Sequence, residues 1–152
     1  MRKMKTIQKI LTIALTLTLS TSIAQTDCNK CDIEKVKTVH DNFDNLTFKM
    51  VNDFLCTFDN SCETNIEYSQ WSNEILYKVL DKEPELTIKV LDQSQLDNIE
   101  ILLDEIESPI HDFDYQKIYE KVLEVKTEKD FKQKVLKSIE LAAEREGIKI
   151  KK

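Results

Sequence analysis

The stretch DIEKVKTVHDNFDNLTFKMVNDFL, Asp32 to Leu55, sets Ile33, Val36, Val39, Phe43, Leu46, Met50 and Phe54 at intervals of three or four residues. On a helix of about 3.6 residues per turn, that spacing lays one apolar stripe along one face. It predicts a first helix over about Asp32 to Leu55. Helix-poor residues cluster from Asp41 to Asn45, so a break there is the one interruption this helix invites.

The same reading extends outward. Thr64 and Glu67 have capping-box spacing ahead of Trp71, Ile75, Leu76, Val79 and Leu80, which predicts a second helix closing near Asp81 to Glu83. Pro84 suits a first helical turn, where its missing amide hydrogen costs nothing, and opens a third helix through Leu86, Val90 and Leu91. Ser94 with Asp97 resembles another capping pair, ahead of a fourth helix bearing Leu96, Ile99, Leu102, Leu103 and Ile106. Ser108 precedes Pro109, is pushed out of the helical region, and ends it. Asp114 is placed to cap a fifth helix bearing Ile118, Tyr119, Val122 and Val125. Thr127 with Asp130 starts a sixth, with Phe131, Val135, Ile139 and Ala142 on its apolar face, and Gly147 ends it in a left-handed cap.

Gly147 is the only glycine and Pro84 and Pro109 are the only prolines, so the tight turns of hairpins and glycine-rich phosphate cradles have no residues to build them. The expected fold is all-α: five to six antiparallel helices as a compact bundle or a short HEAT-like stack of helical hairpins. The run from Trp71 to Leu91, two short helices joined by Asp-Lys-Glu-Pro, resembles a HEAT-type hairpin over about an eighth of the chain.

Ahead of these helices, residues 1–24 have the three parts of a secretory signal peptide. Arg2, Lys3, Lys5 and Lys9 make a basic start, Ile10 to Leu19 an apolar stretch, and Ser22-Ile23-Ala24 a small-residue cleavage site. Ten apolar residues at about 1.5 Å each reach only half of a roughly 30 Å hydrocarbon core, so the stretch suits export better than anchoring. The expected organisation is a leader over 1–24, an N-terminal segment with a C-x-x-C over 25–31, and one helical domain over 32–152, in a periplasmic or extracellular protein with no membrane insertion after cleavage. The leader holds four of the 22 basic residues and no acid, which leaves 18 basic against 28 acidic residues, a formal charge of −10. That balance repels phosphate backbones and anionic lipid, which argues against nucleic acid and favours a basic protein partner.

An exported context makes disulfides the default for Cys28, Cys31, Cys56 and Cys62. An unbroken first helix would separate Cys31 from Cys56 by roughly 36 Å, far beyond the less than about 7 Å that bridged Cα atoms allow. The expectation is therefore two local bridges, Cys28–Cys31 and Cys56–Cys62, and it fails if the helix breaks near Asp41 to Asn45. A C-x-x-C at a helix start also suits thiol–disulfide exchange, with Cys28 and Cys31 as the redox pair. It lacks the preceding strand of a thioredoxin-like fold.

His40 and His111 are the only histidines, too few for a three-histidine zinc site, and His111-Asp112-Phe113-Asp114 lacks the glycine and distal glutamate of an EF-hand loop. No metal and no cofactor is expected. Carboxylates such as Asp104, Glu105 and Glu107, or Glu140 and Glu144, read as charged helix faces, and no G-x-S-x-G, H-E-x-x-H or phosphate-loop sequence is present. Phe48 and Tyr68 fall off their stripes and are the candidate interface anchors. The leading reading is a non-enzymatic exported protein-binding protein, an inhibitor or immunity-type protein acting through an acidic surface. The alternatives are a small thiol oxidoreductase using Cys28 and Cys31, and a structural envelope protein without a discrete ligand.

Overall fold

The computed structural model describes residues 28–152, so the expected leader and its cleavage site lie outside the described residues. Those residues form seven α-helices and one 3-10 turn, with no strand among them: α1 (Ile33–Asp41), α2 (Phe48–Leu55), the 3-10 turn (Asn60–Thr64), α3 (Ile66–Lys82), α4 (Pro84–Gln93), α5 (Ile99–Glu107), α6 (Tyr115–Glu124) and α7 (Phe131–Arg145). The all-α expectation holds. The count exceeds six because the long first helix is two helices.

The break at residues 42–47 is made by short polar side chains that bond the backbone locally and compete with the helical ladder. Asn42 ends α1, its Nδ2 donating to the Thr38 carbonyl at 2.8 Å, and Asn45 N–H donates to the Asn42 carbonyl at 2.8 Å. Thr47 then caps α2, its hydroxyl accepting from Met50 N–H at 3.3 Å. The apolar spacing runs straight through this turn because Phe43 and Leu46 pack against the core from the turn itself.

Three expected starts also move. Asn65, rather than Thr64, caps α3 by accepting from Tyr68 N–H at 3.2 Å. The Ser94 and Asp97 pair caps nothing, and α5 begins after Asn98, whose side chain points elsewhere. Thr127 donates to Asp92 at 2.6 Å, and α7 starts after Asp130 without a side-chain cap. Pro84 at the head of α4, Asp114 capping α6 through Lys117 N–H at 3.0 Å, and Ser108 ending α5 stand where the sequence puts them. Gly147, at φ +72°, closes α7 in a left-handed cap, with Ile148 N–H donating to the Ala143 carbonyl at 2.8 Å. That six-to-one bond satisfies a carbonyl the helix end leaves open.

Helix α3 is the hub, touching α1, α4, α5, α6 and the 3-10 turn, while α7 packs across α5 and α6. One apolar core runs through them, with Phe54, Tyr77, Val79, Leu80, Ile88, Ile106, Val122 and Ile139 fully enclosed. Tyr77 stacks on Phe113, ring centres 4.2 Å apart, and donates its hydroxyl to the Ile106 carbonyl, which leaves no buried polar tip unpartnered there. No helix among the described residues is long and apolar enough to cross a membrane.

Candidate functional site

The turn at 42–47 folds α2 back beside α1, and this single reversal brings all four cysteines to one end of the molecule. Cys31 N–H donates to the Thr57 carbonyl at 2.8 Å, which lays residues 28–31 across the C-terminus of α2. Cys31 is bonded to Cys62, with Cα atoms 5.4 Å apart. The expected local bridges, Cys28–Cys31 and Cys56–Cys62, do not form, because the distance that excluded a long-range pairing rested on an unbroken helix. The bridge also holds Cys31 at φ +55°, a left-handed conformation that costs a residue with a Cβ about 1 kcal/mol or more.

Cys28 and Cys56 remain as thiols. The Cys28 sulfur lies 2.7 Å from the Cys56 carbonyl oxygen, and the Cys56 thiol donates to the Asp53 carbonyl at 3.2 Å. Burial pushes the Cys56 thiol far above its ordinary value, and the Cys28 side chain beside it adds to the rise. Lys30 reaches over the same helix end, donating to the Cys56 carbonyl at 3.1 Å and to Asp97 at 3.3 Å. A cation there complements the carbonyl end of a helix dipole.

Behind the sulfurs, buried polar side chains bond the end of α2, although the Asn98 side-chain oxygen itself has no partner among the described residues. Asn98, 3 % exposed, donates from Nδ2 to the Leu55 and Phe58 carbonyls, each at 2.9 Å, and so closes the last turn of α2 from a distant loop. Thr57 and Tyr68 share a 2.6 Å hydrogen bond between their hydroxyls. Tyr68 is 1 % exposed, edge-on to Phe58, and its phenol is raised by burial; it is a core residue and not the surface anchor its off-stripe position suggested. The 3-10 turn and the segment after α2 cover it. Phe48, the other candidate anchor, is 36 % exposed at the start of α2.

Beside the bridge, Phe58, Asp59, Cys62, Glu63, Tyr68 and Glu105 line a small cleft. Glu105 is held by Asn73, whose Nδ2 donates to its carboxylate at 2.9 Å and to its backbone carbonyl at 3.0 Å. Burial raises the Glu105 carboxyl above the usual range, the Asn73 bond opposes that, and the charges of Asp104 and Glu63 push it further up. Glu63 from the 3-10 turn and Glu105 from α5 thus line one cleft, Asp104 is the next residue on α5, and none of the three is in an ion pair among the described residues. Glu107, expected on the same charged face, is turned toward α7, accepting from Ser138 at 3.2 Å and pairing with Arg145 at 3.5 Å.

The histidines stand apart from this end. His40 sits edge-on to Trp71 at 5.6 Å and His111 edge-on to Phe113 at 6.3 Å, and both are exposed. Of the aspartates near His111, Asp114 is spent on capping α6. Among the described residues no group of three histidine, cysteine or acidic side chains is placed to hold a metal ion.

Asn98, Thr57 and Asn73 carry much of the geometry of this end and were not singled out by sequence. Asn98 sits beside a helix start, where an asparagine reads as a cap, and only the return of α2 shows what it bonds. No family model, curated protein or solved structure matches the chain.

Proposed function

We propose that this chain is an exported, non-enzymatic helical bundle whose acidic surface binds a basic protein partner, as a periplasmic inhibitor or immunity-type protein does. The observation that carries the reading is the cleft beside the bridge, which Glu63 and the half-buried Glu105 line without an ion pair, with Asp104 next to Glu105 on α5, so that a lysine or arginine from outside would relieve their repulsion. Several acids elsewhere are matched within the fold: Asp81 holds Lys117 and Lys121, Asp53 holds Lys35 and Lys49, and Glu140 holds Lys152. Ile66, 66 % exposed at the start of α3 and three residues beyond Glu63 in sequence, is an apolar side chain such a partner would cover. An apolar contact ringed by charge is the usual make-up of a partner-binding surface.

The thiol-exchange alternative needs Cys28 and Cys31 as one redox pair. Cys31 is committed to Cys62, which supports ranking that alternative below partner binding.

Capture of the native partner, followed by titration of the two purified proteins at rising salt, tests the reading. Expected is one saturable partner whose affinity falls with salt and drops at least about tenfold, roughly 1.4 kcal/mol, in the Glu63→Lys, Asp104→Lys double variant. Binding that is indifferent both to salt and to these reversals would rule out the acidic-surface mechanism.

A further inference from the structure

We infer that Cys28 and Cys56 are a second cross-linking pair, so that the oxidised protein carries Cys28–Cys56 beside Cys31–Cys62 and its first described residues are bolted across the end of α2. The geometry is that of two neighbours already docked. The Cys28 sulfur is 2.7 Å from the Cys56 carbonyl oxygen, so the two residues already touch, and the Cys56 thiol bonds the Asp53 carbonyl of its own helix, at 3.2 Å. The chain between the two crossing points is short and fixed at one end. Cys31 is tied to Cys62 by its sulfur and to Thr57 by its amide, only three residues from Cys28. Closing a loop whose other end is already anchored costs little further entropy.

The surroundings set an order for the two thiols. Cys28 is half-buried and Cys56 fully buried, so a disulfide donor from solution meets Cys28 first. With oxidised glutathione as donor, the Cys28 thiolate attacks one glutathione sulfur and expels the other half as a thiolate. The Cys56 thiolate then attacks Cys28 Sγ and expels the second glutathione thiolate. One sulfur–sulfur bond is consumed and one is made; two protein thiols are oxidised, and two glutathione thiols leave with the two protons.

Peptide mapping decides the pairing without ambiguity, since trypsin cleavage after Lys30 separates Cys28 from Cys31 and cleavage before Asp59 separates Cys56 from Cys62. The purified protein is treated with oxidised glutathione, its remaining thiols are alkylated after denaturation, and the linked peptides are read by mass spectrometry. Expected are no alkylated cysteines, a Cys28–Cys56 link and a Cys31–Cys62 link. In Cys56→Ser, a glutathione adduct should accumulate on Cys28, and in Cys28→Ser the native Cys56 thiol should resist glutathione. Two alkylated cysteines at 28 and 56 beside a closed Cys31–Cys62 bridge would overturn the inference, as would links joining Cys28 to Cys31 and Cys56 to Cys62. The outcome is independent of any partner, so it stands or falls apart from the acidic-surface reading.

Discussion

The amino-terminal part of the molecule, from Cys28 through the 3-10 turn, holds all four cysteines and two helices of 9 and 8 residues. The carboxy-terminal part, α5 to α7, holds no cysteine and is built on a helix of 15 residues that packs across two others. Isolated helices shorter than about 12 to 15 residues are marginal in water, so each part needs tertiary support, and the two obtain it differently. In α5 to α7 it is apolar burial: Leu102, Ile106, Val122, Val135, Ile139 and Ala142 are enclosed with scarcely any exposed surface. In the amino-terminal part it is apolar burial supplemented by a covalent bridge to the turn ahead of α3 and by Asn98 reaching over from the loop before α5. The amino-terminal helices thus add a covalent bridge and a buried side-chain clamp to apolar burial, whereas α5 to α7 rest mainly on the area that α7 covers.

That contrast can be broken by substitution, and the largest effect is expected where apolar burial dominates. Ile139→Ala removes a fully buried side chain beneath α5 and α6 and should cost about 4 kcal/mol in denaturant unfolding, by the same amount with and without reductant. If reductant changes that cost substantially, the two parts are not held independently. Next comes Cys31→Ser, which opens a bridge spanning 31 residues of sequence; the chain-entropy relation gives a loss of about 3.7 kcal/mol. A loss under about 1 kcal/mol would mean that the docked geometry persists without the bond. Smaller again is Asn98→Ala, which strips its donor from the buried Leu55 and Phe58 carbonyls and should cost about 2 kcal/mol by the same measurement.

The two parts also differ in how much of them the sequence discloses. In the later helices several boundaries, though not the starts of α5 and α7, are written by residues with one conformational meaning: Pro84 must open a helix, Ser108 before Pro109 must leave one, and Gly147 at φ +72° occupies a conformation that other residues resist. In the first part the signal is ambiguous. Val39, Phe43, Leu46 and Met50 keep helical spacing through a turn, since a turn that packs on the core is as apolar as a helix face. Only the competition of Asn42, Asn45 and Thr47 for local hydrogen bonds breaks the helix, and that depends on whether α1 and α4 offer α2 a surface to fold back upon. The cysteine pairing inherits the same ambiguity, because it turns wholly on the distance from Cys31 to Cys56. Tyr68 was misplaced for a related reason: its partner Thr57 lies in the segment after α2, where no periodicity marks it as covering α3.

If the Cys31–Cys62 bridge holds α1 and α2 in place while the later helices hold themselves, opening it loosens one part of the molecule and leaves the other. Amide hydrogen exchange followed by mass spectrometry tests it most directly, comparing oxidised and reduced protein in a Cys28→Ser background so that reduction opens this one bridge. The account predicts that reduction strips protection from α1, α2 and the 3-10 turn and leaves α7 amides as slow as before. Equal loss of protection in α2 and α7, or no loss in either, would contradict it.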